Sequence, residues 1–355
     1  MSEVLDATLG SIRPGDDRAR HETASILAAK TKPPGSLGRL EALACRLASI
    51  RGSVPIEPPR PAIVVAAADH GVADEGVSAY PQAVTAEMVA NFAHGGAAVC
   101  VLARQAAARL VIVDAGVVGS GPLPDGVRSE VVDGVRGTAS IATGPAMART
   151  VAVALIERGI ALADELADDG NDLIGVGDMG IANTTAAAAL CAALLPAASA
   201  SVCGPGTGLD EAGVARKIEV VERALGANGL VGSPVDPVTT LAAVGGLEIA
   251  FLSGVILGGA ARRVPVLLDG FVTGAAALVA ASLAPVSVDG TIAATRSPEP
   301  GHRLALEQLG LTPLLDLELR LGEGSGAALA IPLVRSAVAI VAEMATFEGA
   351  GVSRA

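Results

Sequence analysis

Aromatic residues are nearly missing from this 355-residue chain, which has no Trp, one Tyr and four Phe. Its core must therefore be built from Ala, Val, Leu and Ile, packed closely because no large ring fills space. Lysine is almost as scarce. Only Lys30, Lys32 and Lys217 occur, and the formal net charge is −12. That balance argues against a nucleic-acid partner, since phosphate contact needs a basic patch. It also means that an anionic small ligand gains little from long-range steering and must be held by local amides and a few cations. The four cysteines, Cys45, Cys100, Cys191 and Cys203, form no CxxC pair and sit among apolar or small neighbours. They read as buried reduced thiols. The histidines His21, His70, His94 and His302 are scattered, so no metal is expected. Long hydrophobic runs are missing too, although 51% of the residues are hydrophobic. The longest, over residues 185–200 and 275–286, are Ala-rich and broken by Pro and Ser. They are too short and too weakly apolar for a membrane span. The N-terminus shows no basic head followed by an apolar stretch, so no signal peptide is expected and the location read from it is cytoplasmic.

What is present is a repeated pattern. Four short apolar runs each end in Asp and Gly. Residues 62–68 lead to Asp69-His70-Gly71, 110–113 to Asp114-Ala115-Gly116, 173–176 to Gly177-Asp178-Met179-Gly180, and 264–268 to Asp269-Gly270. Continuous apolar runs fit strands buried on both faces, as in a parallel sheet. Ala-rich stretches of helical length follow most of them, over 184–195 and 273–283. The units thus read as βαβ with right-handed crossovers, an α/β fold. In open α/β sheets, ligands bind beyond the carboxyl ends of the strands. Asp69, Asp114, Asp178 and Asp269 would line that edge, although Asp is also a common N-cap and turn former. Two of the four are expected to touch a ligand or orient a group that does.

The ends of the chain differ from its middle. Helical periodicity over 22–29 and 40–50 is broken by Lys32-Pro33-Pro34-Gly35, and residues 328–347 read as a helix with Pro332 in its first turns. The expected division is a small helical domain built from residues 1–60 and 321–355, around a large α/β domain of residues 61–320. At their junction lies Leu319-Arg320-Leu321-Gly322-Glu323-Gly324-Ser325-Gly326. Glycines there let backbone approach a ligand. A carboxylate partly desolvated in such a spot has a raised pKa and is a better base. A solvated Glu in a Gly-rich turn is the other reading of this segment alone.

Several segments, in order, carry a resemblance. They are Lys32-Pro33-Pro34-Gly35-Ser36-Leu37-Gly38-Arg39, Asp69-His70-Gly71-Val72, Glu75-Gly76-Val77-Ser78-Ala79-Tyr80-Pro81-Gln82 and Val84-Thr85-Ala86-Glu87-Met88. They continue with Gly177-Asp178-Met179-Gly180-Ile181-Ala182-Asn183-Thr184-Thr185, Gly206-Thr207-Gly208, Gly245-Gly246-Leu247-Glu248, Leu267-Leu268-Asp269-Gly270 and the Glu323 segment. With these the chain resembles, over nearly its whole length, the nicotinate-nucleotide:dimethylbenzimidazole phosphoribosyltransferase family of cobalamin lower-ligand synthesis. The resemblance implies transfer of the phosphoribosyl group of nicotinate mononucleotide to 5,6-dimethylbenzimidazole, giving α-ribazole 5′-phosphate and nicotinate, with no cofactor. It also implies a homodimer, and a Rossmann-like parallel sheet flanked by helices with a small helical domain from both termini.

Site roles follow residue by residue from the same resemblance. Glu323 is the implied proton acceptor, with Gly322, Gly324 and Ser325 around it, and Asp178 lies on the ribose and C1′ side. Gly204, Gly206, Thr207 and Gly208 would bring amides to the phosphate, helped by Gly180, Asn183 and Thr184 at a helix start. Lys217 matches a position near the phosphoribosyl group, against the alternative of a solvated helix-face lysine. Ser78, Tyr80, Pro81, Glu87 and Met179 would surround the aromatic base. Tyr80 would stack on it or else be a surface ring, and Asp69 and Asp269 complete the set. The chain departs from the family pattern with Asp178 for Glu, Ala182 for Gly, Pro205 for Arg and Glu87 for Gln. A different acceptor base or a non-catalytic binder are the competing readings. A dinucleotide-dependent oxidoreductase is disfavoured because no GxGxxG follows the first strand.

Overall fold

The computed structural model describes residues 2–119, 121–195, 197–232 and 236–353. Six strands form one sheet: β1 (Pro61–Ala68), β2 (Arg109–Gly116), β3 (Val127–Ser129), β4 (Leu173–Met179), β5 (Val266–Leu268) and β6 (Thr291–Ala293). All are parallel, in the order β3-β2-β1-β4-β5-β6. The order reverses between β1 and β4, and a crevice opens at such a switch point. Asp69, just past β1, and Asp178, inside β4, both stand there. The four expected strands are β1, β2, β4 and β5, and the two additional ones, β3 and β6, have three residues each.

Every residue of β1 is buried, and its side chains alternate between two cores. Ala62, Val64, Ala66 and Ala68 pack with helices Arg149–Asp168, Asn183–Leu194, Leu247–Ala261 and Phe271–Leu283. Ile63, Val65 and Ala67 face helices Asp17–Ala29, Arg39–Arg51, Val84–Ala93, Ala98–Gln105 and Ser325–Glu343. Small residues replace aromatics at the closest crossings. A Cβ on Gly159 would lie 2.0 Å from the Phe251 carbonyl oxygen, and one on Gly254 2.0 Å from that of Ile156. Helices 149–168 and 247–261 therefore touch backbone to backbone.

Two stretches, residues 84–105 and Ser325–Glu343, reach the length and apolarity of a membrane span by composition. The first is two helices parted at His94–Ala97. The second buries Ala327, Ile331, Val334 and Val338 in the core beneath the sheet. It starts at Ser325, three residues earlier than its periodicity suggests, so Pro332 lies in its interior rather than in its first turn. The early start has a local cause: Gly324 at φ +80° turns the chain into the helix.

Candidate active site

Gly322, Glu323 and Gly324 take φ of +80°, +64° and +80°. Glycine adopts this left-handed backbone freely, whereas for a glutamate it costs about 1–2 kcal/mol, so neighbouring contacts must hold it. The Glu323 N–H donates to the Asp178 carbonyl at 3.1 Å. Asp269 Oδ2 accepts from Gly324 N–H at 2.9 Å, and Oδ1 accepts from Gly326 and Ala327 N–H at 2.6 and 3.2 Å. One carboxylate from the end of β5 thus caps helix 325–343 and pins the turn before it. Gly177 in β4 makes room, since a Cβ there would lie 2.1 Å from Gly324 N.

Asp178, Asp269 and Glu323 are all buried. Burial pushes the Glu323 carboxyl up to about 7, and the charge of Asp269 adds to it. Burial also raises Asp269 to about 7, against the lowering by its three N–H donors. Asp178 is raised well above the carboxylate range by burial, then by the charges of Asp269 and Glu248; the Asn183 amide, at 2.8 Å, opposes the rise. Three such groups titrate as a coupled set.

A cleft of about 820 Å³, counting its mouth, lies at the carboxyl ends of β4 and β5. Asp178, Met179, Gly180, Asn183, Thr184, Gly206, Thr207, Asp269, Gly322 and Ser325 line it, together with Thr295, Glu299 and Gly326. Glu323 does not line it, although Gly322 and Ser325 on either side do. The Ser325 hydroxyl is buried there without a hydrogen-bond partner among the described residues, as a group awaiting a ligand would be. Asp69 and Asp114 are engaged elsewhere. Asp69 Oδ2 accepts from Val118 N–H at 2.8 Å, while Asp114 accepts from the Gly116 and Val117 N–H groups and from Arg136.

Lys217, on helix Glu211–Ala227, is fully buried and not a solvated helix-face lysine. Its Nζ donates to Thr184 Oγ1 at 2.8 Å and to the Gly204 carbonyl at 3.2 Å, which ties the ammonium to the cleft wall and to the 204–208 loop. Burial lowers its pKa, with the Glu299 and Cys203 charges opposing. The 204–208 loop also carries Gly206 at φ +56° and Gly208 at φ +131°. On the other flank, Ser78 is half-buried and accepts from Tyr80 N–H at 3.2 Å; Tyr80, Pro81 and Glu87 are exposed. Thr85 Oγ1 accepts from Ile181 N–H at 3.1 Å, fastening helix 84–93 to the loop after β4. Of this flank only the half-buried Met179 also lines the cleft.

Two groups escaped the sequence reading. His70 Nε2 and Glu248 Oε1 lie 2.8 Å apart, both fully buried, and a Cβ on Gly180 would come within 3.2 Å of His70 Nε2. Burial lowers the His70 pKa, but the charge and hydrogen bond of Glu248, then Asp69, raise it above the ordinary value overall. The available signal was an ionisable residue set in each of two otherwise apolar or Gly-rich segments. Glu299, between Pro298 and Pro300 just after β6, is the other. Among the described residues, no three His, Cys, Asp or Glu side chains gather as a metal site.

A phosphoribosyltransferase family model matches residues 12–352. The chain is 51% identical over 351 residues to the nicotinate-nucleotide–dimethylbenzimidazole phosphoribosyltransferase of Chloroflexus aggregans, covering 99% of this chain and 98% of that one. To the protein of the same name from Halalkalibacterium halodurans it is 49% identical over 347 residues, covering 98% and 96%. The crystal structure of the protein of that name from Thermus thermophilus matches with a TM-score of 0.89 at 46% identity, covering 96% of this chain and 100% of that one. Overall fold, near-complete coverage and about half the residues in common agree: the chain belongs to the nicotinate-nucleotide–dimethylbenzimidazole phosphoribosyltransferase family.

Proposed function

We propose that this chain moves the 5-phosphoribosyl group of nicotinate mononucleotide onto 5,6-dimethylbenzimidazole, giving α-ribazole 5′-phosphate and nicotinate. The observation that carries the catalytic reading is Glu323: a buried carboxyl with a pKa of about 7, held in a left-handed turn at the carboxyl edge of the sheet. The nicotinate ring leaves C1′ with the bonding electrons, as a neutral ring nitrogen. One benzimidazole nitrogen attacks C1′ from the opposite face, which inverts the β anomer to α. Positive charge grows on the acceptor, and its other nitrogen gives its proton to Glu323, a general-base contribution of about 10²–10⁴-fold. Holding donor and acceptor in line supplies much of the rest.

The cleft suits the donor. Asp178, with Asn183 bonded to it, faces the ribose and C1′, and Thr184, Gly206 and Thr207 receive the phosphate beside Lys217. The flank of Ser78, Tyr80, Pro81, Glu87 and Met179 takes the aromatic base, with Glu323 between base and donor. The exposed Tyr80 and Glu87 leave this flank room for a second copy of the chain, and we read the enzyme as a cytoplasmic homodimer. The terminal segments, 1–60 and 321–355, act as one helical domain beside the α/β domain of 61–320. Packing of helix 325–343 on helices 17–29 and 39–51, and the Lys30–Thr346 bridge, support that division.

The test is product formation from the two substrates, followed by mass. Undiminished product from Glu323→Gln would sink the base assignment. Tight ligand binding without turnover by the wild type would make the chain a binder instead. The exposed carboxylate of Glu87 on the base-side flank favours one second reading, a different preferred azole, purine or phenol. Competition between dimethylbenzimidazole and adenine or a phenol decides it.

A further inference from the structure

Among the described residues, three carboxylates line the cleft: Asp178 faces the ribose, Asp269 holds the turn before helix 325–343, and Glu299 has neither task. It is 5% exposed. Its Oε1 accepts the Gly206 N–H at 2.8 Å, while Oε2 stands 3.9 Å from Lys217 Nζ without a hydrogen-bond partner among the described residues. The carboxylate lies against the Gly204 backbone, where a Cβ would meet both of its oxygens at 2.7 Å. Lys217 gives two of its three N–H bonds to Thr184 and Gly204, which leaves one for an anion. The Thr184 hydroxyl accepts from Lys217, and its own O–H remains free to donate. A backbone amide, a hydroxyl and a buried ammonium form a donor set suited to phosphate. The protein's own carboxylate takes the amide and stands beside the ammonium.

We propose that Glu299 is a specificity-determining placeholder at the anion position of the 204–208 loop, and that the donor's phosphate enters by displacing it from Gly206. The proposal rests on the assignment of that loop to the phosphate. A carboxylate and a phosphate repel strongly in a dry site, so both cannot hold the Gly206 amide and the Lys217 ammonium. While the cleft is empty, Glu299 keeps the buried Lys217 from standing without a counter-ion, which would be costly. The incoming phosphate takes over both duties, and Glu299 leaves along the cleft that it lines. A ligand without negative charge cannot make this exchange, because Lys217 would lose its counter-ion. The site therefore selects nucleotides over nucleosides by charge replacement.

Glu299→Gln separates charge from shape, since the amide oxygen still accepts from Gly206. Calorimetry should show the Kd for inorganic phosphate and for nicotinate mononucleotide falling by roughly tenfold or more, because no like charge then has to be displaced. The Kd for nicotinate riboside should move by less than about twofold. Unchanged or weaker phosphate binding overturns the placeholder. An equal gain for mononucleotide and riboside overturns the premise that this loop holds the phosphate, which is a separate failure. If the variant does not fold, the wild-type protein crystallised with inorganic phosphate answers the question. Glu299 drawn away from Gly206, with phosphate in its place, supports the proposal; Glu299 still bonded to Gly206 overturns it.

Discussion

Glu323 combines a backbone that glutamate avoids with a carboxyl that titrates near neutrality, at φ +64° and a pKa of about 7. Strain at a site is kept only where the surroundings over-determine it, and here Asp178 and Asp269 do so from two strand ends. Glu323→Gln should lower kcat by about 10²–10⁴ with the melting temperature held or raised. In the wild type only the ionised carboxyl accepts a proton, so kcat/KM should fall on the acid side with a pKa near 7. An acid limb at the ordinary carboxylate value would remove the assignment. Ala182 is a second strained residue, at φ +72° where the family pattern has Gly. Ala182→Gly relieves the left-handed penalty and returns part of the gain as unfolded-chain entropy, so stability should rise by about 0.5–1 kcal/mol in urea denaturation.

The element that makes the site is the turn into helix 325–343, and its geometry is set from outside the turn. Asp269→Ala would leave the Gly324, Gly326 and Ala327 amides without their acceptor, at a cost of at least about 2 kcal/mol. Product formation should fall with it, because Glu323 is carried by that turn. Gly177→Ala tests the same contact from β4, where the added Cβ would sit 2.1 Å from Gly324 N. The turn must move, so turnover should be lost while far-ultraviolet dichroism remains that of a folded protein. Normal turnover in this variant would show that the turn is not held against the strand. Strand β4 and helix 183–194 were legible as an apolar run and an Ala-rich stretch. Strands β3 (Val127-Arg128-Ser129) and β6 (Thr291-Ile292-Ala293) carry polar residues and leave no apolar run, whereas β5, equally short, ends the run of 264–268. Pro332 falls in the interior because the turn at Gly324 starts the helix early, and the run of glycines does not say which of them makes that turn.

Across the whole molecule, the buried carboxyls set how stability depends on pH. Glu323 and Asp269 have folded values of about 7, above their ordinary values, and Asp178 is raised as well. The folded chain therefore keeps protons that the unfolded chain releases, and stability falls as pH rises from about 4 to about 7. The size is on the order of 3 kcal/mol for Glu323 or Asp269 taken alone, and less than the sum for the coupled pair. His302 works in the opposite direction: burial pushes it down to about 4, so its contribution is lost as pH falls from 6.5 through about 4. Urea unfolding at about pH 5.5 and 7.5 should show the carboxyls winning, with lower stability at the higher pH. The opposite slope would mean that these groups are ionised in the folded chain.

Residue order alone is enough for the class of core, the parallel α/β sheet and the segment carrying Glu323. Each is written in local composition: small residues without aromatics, apolar runs of strand length, and glycines around one carboxylate. Packing settles which strand-end aspartates reach the cleft and which hold loops, for Asp69 and Asp114 have the same local pattern as Asp178 and Asp269. It also decides that Lys217 is buried behind Thr184, that His70 meets Glu248 from 178 residues away, and that Glu299 fills the donor loop. A buried charge survives only beside its partner, and that partner is chosen by the packing of distant segments. Spacing along the chain records periodicity, but not which charges will meet once water is gone.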